Sequence, residues 1–396
     1  MYNMIDILKI FHKQKEIGQI ILNAEKGEFE LRYIPEVALE DSISLTLPST
    51  NLTYIEKNFK LATYFDMFIP EGYLFEILKN FIAKKEGKVN DQIIFSYLSN
   101  GIEERFKIIG NKETKILKEI PSIEDVIKND TIDFFNYLVN IFLYKNSISG
   151  IQPKTVATLK DKGVIGFGDY IIKTYGKEYP YLTVNEFICL NIIKKTGLKT
   201  CEYKLSENGN FLIIKRFNNS FTGFEEVCSL LGKRKDEKYN GSYEKVAKVI
   251  SEYSTNYHKD LEDLFKAITI NYIIGNGDAH LKNFGLIFND NFSEIRIAPF
   301  YDIVSTVVYI SDDLPALTMY GKKFWNEWKY VKRFGNERCM ISEKKVNIII
   351  REIIDIVDDS LKEIDYYCKR YKRFKIFGDR MKKFIINSLE NLKKEV

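Results

Sequence analysis

The sequence predicts an α+β protein of two lobes, because segments of two kinds follow one another along its 396 residues. Up to about residue 222, short apolar or β-branched stretches alternate with turn residues, the pattern of antiparallel strands. From residue 223 onward, apolar positions recur at helical spacing over long segments. A sheet-rich region followed by a run of helices packs as an α+β unit rather than as alternating βαβ layers. The length suits two or three domains. The expected divisions are 1–115 for a small β-rich N-terminal subdomain, 116–222 for a mixed lobe and 223–396 for a mainly helical lobe.

Within residues 17–47, Gly18-Gln-Ile-Ile-Leu22 and Phe29-Glu-Leu-Arg-Tyr33 flank the turn-rich Asn23-Ala-Glu-Lys-Gly27, which predicts a small antiparallel sheet. Helical periodicity over 64–82 is interrupted at Pro70-Glu71-Gly72, so two helices are expected there. The charged stretch 110–119 reads as a linker, and one helix is predicted over 123–144. A glycine-bearing loop, 147–155, then precedes a strand pair expected around Asp161-Lys162-Gly163 and the apolar run Tyr170-Ile-Ile-Lys173. Thr183-Val-Asn-Glu186, ahead of the apolar residues 187–193, fits a capping box. Residues 211–217 read as a strand, and helices are expected over 243–254, 259–274, 344–358 and 361–394. In the second of these, Leu261, Leu264, Phe265 and Ile268 share one face.

Composition narrows the class of protein. An apolar fraction of 45%, with 14% aromatic residues and only eight prolines, describes a folded chain rather than a disordered one. Basic and acidic residues number 59 and 55, so net charge marks neither a nucleic-acid nor a membrane protein. Cys189, Cys201, Cys228, Cys339 and Cys368 are odd in number and form no CxxC pair, which points to buried thiols rather than disulfides or zinc. No segment resembles a secretion signal and no apolar run is long enough for a bilayer, so a cytoplasmic protein with no membrane partner is expected.

The chemistry concentrates in Gly275-Asn-Gly-Asp278-Ala-His280-Leu-Lys-Asn283 and in Pro299-Phe-Tyr-Asp302-Ile303. Phosphoryl transfer needs a carboxylate to accept the proton of the attacking hydroxyl, and an amide with a second carboxylate to hold magnesium. Asp278 fits the first role, Asn283 and Asp302 the second. Residues 284–288 and 295–298 read as strands about the turn Asn289-Asp290-Asn291, and such a hairpin would bring Asn283 and Asp302 side by side. His280 joins Asp278 in this loop in an orienting role, holding backbone groups by hydrogen bonds. Lys173 ends a buried run and needs a matching charge, which the phosphates of a nucleotide would supply. Glu186 either pairs with Lys173 or serves the capping box. The loop Ser147-Ile-Ser149-Gly150-Ile-Gln152-Pro-Lys154-Thr155 would cover phosphates with its N–H groups, making Ser149, Gly150, Gln152 and Lys154 nucleotide-side candidates. It matches neither the Walker A loop nor the kinase glycine-rich loop.

Together these stretches resemble the HipA-type serine/threonine kinases, toxins of bacterial toxin–antitoxin modules. Phe65 through Pro70-Glu71-Gly72 is similar to the family's N-terminal signature, and Leu317-Thr-Met-Tyr-Gly-Lys322 to the segment after its metal-binding Asp. The resemblance implies a two-lobed protein-kinase-like fold, with 116–222 as the ATP-binding lobe and 223–396 as the catalytic lobe. It implies ATP and Mg2+ as cofactors, Asp278 as base, Asn283 and Asp302 as metal ligands, and Lys173 on the phosphates. Lys215-Arg216-Phe217 would form the hinge beside adenine, and Ser147 would be the autophosphorylated residue, with Ser149 a second hydroxyl nearby. Its implied partners are a translation-related protein substrate such as an aminoacyl-tRNA synthetase, an antitoxin, and operator DNA through that antitoxin or a tRNA-bearing target. The sequence departs from the family at Ser99–Phe106, which lacks an Asp-x-x-Gly pattern, and at Pro153, where an acid is common.

Two rival readings remain. A small-molecule phosphotransferase of the aminoglycoside or choline kinase type shares Asp-x-His-x-x-Asn, and the Ser147 loop and N-terminal subdomain count against it. A catalytically inactive corepressor that binds DNA with an antitoxin would not need Asp278, Asn283 and Asp302 together. The basic, aromatic-rich run 369–383 reads as a solvated helix face, or else as a nucleic-acid contact.

Overall fold

The structure is a computed structural model that describes residues 5–102, 104–112, 120–146, 159–160 and 162–396. Alternating burial along Ile5–His12 (β1), Lys15–Asn23 (β2) and Glu28–Tyr33 (β3) turns Leu8, Ile10, Ile20, Phe29 and Leu31 into one core, as a period of two requires. With Thr53–Glu56 (β4) and Lys107–Ile109 (β5) they form an antiparallel sheet of order β4-β3-β2-β1-β5. This sheet begins before the expected residue 17. Residues 34–52, part of which were expected to be sheet, form turns and the short 3-10 helix Leu39–Asp41 instead, with Tyr33 Oη donating to Leu47 O at 2.5 Å and accepting from Ile43 N at 2.8 Å.

Thr63–Asp66 (α1) and Gly72–Glu86 (α2) are separated at the expected Pro70-Glu71, and Asp91–Leu98 (α3) is capped by Asn90. The single helix expected over 123–144 is two, Ile123–Lys128 (α4) and Ile132–Lys145 (α5). Asp130 explains the break. Its buried carboxylate turns away to accept hydrogen bonds from Ser206, Asn208 and Asn210, and Thr131 restarts the helix as its cap.

A second antiparallel sheet joins Lys162–Phe167 (β6), Tyr170–Tyr175 (β7), Tyr203–Leu205 (β8) and Phe211–Lys215 (β9) in the order β6-β7-β9-β8. The β6–β7 turn falls at Gly168-Asp169, not at 161–163, and Gly168 takes the left-handed φ of +57° that the turn requires. The sheet is a wall between two cores. Ile165, Ile172, Phe211 and Ile213 face the N-terminal one, while Leu212 and Ile214 face the helical one. Leu182–Lys195 (α6) packs on the helical side.

The helical region contains Thr222–Glu226 (β10), Val227–Leu230 (α7), Tyr243–Tyr253 (α8) and Tyr257–Ile274 (α9). The hairpin Gly285–Asn289 (β11) and Ile295–Ile297 (β12) joins β10 in a third sheet of order β10-β11-β12. Trp328–Glu337 (α10), Glu343–Arg370 (α11) and Lys375–Lys393 (α12) complete the lobe. The expected division near 359–360 is absent. Ser360 stays within α11 by donating its hydroxyl to Ile356 O, and the interruption comes at Tyr371. The basic run 369–383 spans this junction, with Lys375 paired to Asp379 and Lys382 to Asp365.

The N-terminal sheet grips the far end of the β11–β12 hairpin. His12 places Nδ1 2.7 Å from Asp41 and Nε2 2.7 Å from Asp290 at the hairpin turn, while Arg105 donates to Asp290 O at 2.6 Å. A second seam is charge-complementary: Arg234 meets Glu56 at 2.8 Å, Lys235 meets Asp91 at 2.6 Å, and Lys282 meets Glu71 at 2.6 Å. All five cysteines are buried and free. Among the described residues no helix is long and apolar enough to cross a membrane.

Candidate active site

Strand β7 carries Lys173 to the edge of the helical lobe, where its Nζ lies 2.6 Å from Glu186 Oε1 on α6 and 2.7 Å from Asp302 Oδ1. The lysine and glutamate side chains are 12% and 4% exposed, so each charge needs a partner, and Asp302 gives Lys173 a second one. The capping box is therefore not formed. The residue before α6, Tyr181, makes no side-chain cap, and Thr183 donates instead to Gly209 O. Burial opposes the charge on Lys173, but Asp302 and Glu186 raise its pKa above the usual lysine value. Burial likewise works to raise Asp302, yet Lys162 and Lys173 outweigh it and hold the carboxyl well below the ordinary range. Asp302 adopts φ +56°, a left-handed conformation that Asp tolerates better than most residues.

The loop after α9 is built by its glycines and an asparagine. Gly275 ends the helix at φ +69°, and a Cβ there would strike Val307. Asn276 donates to Asn271 Oδ1 and accepts from Asp278 N, while Gly277 N donates to Thr306 Oγ1 at 2.6 Å. This leaves the Asp278 carboxylate partly exposed, 3.9 Å from Lys162 Nζ, which also stands 3.8 Å from Asp302 Oδ2. The hairpin brings its ends together: Asn283 Nδ2 donates to Asp302 O at 3.3 Å. Asn283 Oδ1 is buried with no hydrogen-bond partner among the described residues. His280 stands against Asp278, with its Nε2 3.9 Å from Asp278 Oδ1. Burial lowers its pKa to about 4, its Nδ1 has no partner among the described residues, and the loop is held by main-chain bonds from His280 N to Asp278 O and from Asn283 N to His280 O.

A cavity of about 380 Å³ runs from Lys173 along Val164, Ile171 and Ile214 to Lys215, Phe217 and Tyr301. Phe217 packs against Phe224 and Tyr301, with ring centroids at 5.0 and 5.7 Å. The Lys215 ammonium turns outward, 3.4 Å from Glu202. Its walls are mostly apolar, with Lys173, Arg216, Glu104 and Glu226 among the charged groups, a lining that suits a small organic ligand. Ser147, Ser149, Gly150, Gln152 and Lys154 lie outside the described residues.

Three side chains around this centre escaped the sequence reading. Lys162 bridges the two carboxylates, but it sits in an Asp-Lys-Gly run that reads as a turn. Tyr239 donates its hydroxyl to Asp278 Oδ1 at 2.7 Å from a charged stretch that reads as surface. Glu71, noted only within an N-terminal signature, reaches both Lys238 and Lys282. Only the tertiary fold reveals their partners.

Comparison with known proteins adds a lineage. The family model for the HipA-like C-terminal domain matches residues 146–361, and that for the HipA N-terminal domain matches residues 8–100. A candidate kinase of Haemophilus influenzae is 28% identical over 260 residues, 57% of this chain and 76% of that protein. Another, from Sinorhizobium fredii, is 30% identical over 199 residues, 43% and 48% of the two chains. The serine/threonine-protein kinase toxin HipA of Shewanella oneidensis is 25% identical over 194 residues, 41% and 44% of the two. The match thus spans about three quarters of the first relative and under half of the other two. The fold is that of S. oneidensis HipA as solved with HipB and its operator DNA, with a TM-score of 0.70, 16% identity, and coverage of 97% of this chain and 96% of that one. With its C-terminal domain model spanning more than half the chain, and the N-terminal model preceding it, the protein belongs to the HipA family.

Proposed function

We propose that this protein is an ATP- and Mg2+-dependent protein serine/threonine kinase, the toxin of a toxin–antitoxin module. The observation that carries the reading is Lys173 clamped between Glu186 and Asp302, which joins a strand, a helix and a loop at the mouth of the cavity. Such a lysine is poised to hold phosphates, with Glu186 fixing its position. Oxygen donors suit a hard cation, and Asn283 Oδ1, buried without a partner among the described residues, lies beside the ionised Asp302. Those two residues would hold magnesium, which when bound neutralises charge on the transferring phosphoryl group.

The remaining work belongs to the side chains. Phe217, Ile214 and Tyr301 would enclose the base, with 215–217 as the hinge. Asp278 would take the proton of the acceptor hydroxyl, and the pairing of Lys173 would exclude competing charge from the site. In this reading residues 116–222 form the ATP-binding lobe and 223–396 the catalytic lobe, with 1–115 as the N-terminal subdomain. Ser147 is the proposed autophosphorylation site. The proposed substrate is a translation-related protein in the cytoplasm, and the proposed partner is an antitoxin through which operator DNA is bound.

The test is transfer from labelled ATP with magnesium, to the protein itself and to proteins of a lysate. Label on protein, abolished in Asp278→Ala and reduced in Ser147→Ala, supports the reading. Label only on a small amino alcohol or sugar would assign the site to a small-molecule phosphotransferase instead.

A further inference from the structure

Tyr239 lies on the turn after the short helical turn Lys235–Glu237, 45% exposed, yet its hydroxyl is not spent on solvent. Its Oη donates to Asp278 Oδ1 at 2.7 Å. A hydroxyl at that distance from a carboxylate is the arrangement a general base makes with the group it deprotonates. We propose that Tyr239 occupies the acceptor subsite of the kinase as an internal stand-in, so that a substrate serine or threonine hydroxyl must displace it to reach Asp278. This rests on the kinase reading above.

The loop does not need this bond for its shape. Asn276 and Thr306 already fix Asp278 and Gly277, and the carbonyl of Lys238 accepts from Leu281 N at 3.0 Å. The phenol is instead aimed at the carboxylate by its surroundings. Its ring stands edge-on to His280 with centroids 5.1 Å apart, and Lys238 Nζ lies 5.4 Å from the ring. Because the turn backbone is tied to the catalytic loop while the ring is half in solvent, the hydroxyl can leave by side-chain rotation without moving the loop. One oxygen of the base is thereby occupied until an acceptor competes for it. Lys238 also pairs with Glu71, so the turn that carries the stand-in is attached to the N-terminal subdomain.

The experiment uses the full chain and two acceptors: water, read as phosphate release from ATP, and dephosphorylated casein, read as label incorporation. Losing one partly exposed hydrogen bond to a carboxylate should raise both rates about three- to tenfold in Tyr239→Phe. Tyr239→Ala should rise at least as far, with the KM for ATP unchanged and the KM for casein lowered. The gain should vanish in the Asp278→Ala/Tyr239→Phe double variant. Equal thermal midpoints of native and Tyr239→Phe protein exclude a folding effect. If the native chain transfers phosphate and Tyr239→Phe is no faster, or is slower, the stand-in role is overturned. If neither native nor variant protein consumes ATP with any acceptor, the kinase reading itself falls, a separate and recognisable result.

Discussion

Replacing Glu186 by glutamine removes one of the two carboxylates around Lys173 while keeping the size and shape of the side chain. At the observed 2.6 Å contact, a Coulomb attraction at an effective dielectric of about 20 has a gross size of roughly 6 kcal/mol. Desolvation of a nearly buried carboxylate offsets much of that, and Asp302 remains 2.7 Å from the ammonium, so the net loss of stability should be about 2–3 kcal/mol. For a chain of this length that corresponds to a midpoint lowered by about 3 °C, measurable by calorimetry. The effect on function should be larger. Without Glu186, Lys173 is drawn wholly to Asp302, and both would be diverted from ATP, so kcat/KM should fall about 100-fold, mostly through kcat. Glu186→Gln, Lys173→Met and the double variant form a cycle that isolates the pair. A coupling below about 0.5 kcal/mol, or kcat/KM unchanged in Glu186→Gln, would refute the argument.

Three further outcomes follow from the same geometry. Burial would raise the Glu71 carboxyl, but Lys282 and Lys238 draw it from 4.5 down to about 2, so its stabilising contribution is complete above pH 4.5 and lost as pH falls toward 2. The native protein should lose more thermal stability across that window than Glu71→Gln does. Gly277→Ala would drive a methyl group into the Asp313 carboxylate, which accepts from Thr306; misplacing Asp278 in this way should cost about 100-fold in kcat with little change in melting temperature. Asp260 is fully buried and accepts from Arg296, Ser254 and Ile297 N, so Asp260→Asn should destabilise the fold by about 2–4 kcal/mol, seen as a shifted urea midpoint.

Much of this molecule could be read before its structure. The trio Asp278, Asn283 and Asp302 stood out because its spacing contains a hairpin whose alternation and turn residues are local features. Helix α9 declared itself through period and through Gly275. What could not be read depended on partners distant in the chain. Thr183-Val-Asn-Glu186 has the same spacing whether it caps a helix or presents Glu186 to Lys173, and only the approach of β7 decides between them. Asp130 breaks a periodic helix because it is captured by residues more than seventy positions later, and Ser360 leaves α11 intact because its hydroxyl finds a carbonyl within the helix. Lys162 and Tyr239 carry ordinary surface identities and become informative only when Asp278, and for Lys162 also Asp302, faces them.

The hairpin β11–β12 has a consequence for how this chain can be divided. Its open end presents Asn283 and Asp302, and its closed end, at Asp290, is held by His12, Lys13 and Arg105 of the N-terminal subdomain. It works as a short lever with the proposed metal-binding pair at one end and the N-terminal subdomain on the other. Excising the N-terminal residues to obtain a minimal fragment would release that handle and leave Asp290 without these three partners. The boundary between subdomains is thus a poor place to cut, because part of the support for the proposed metal-binding pair lies on the other side of it.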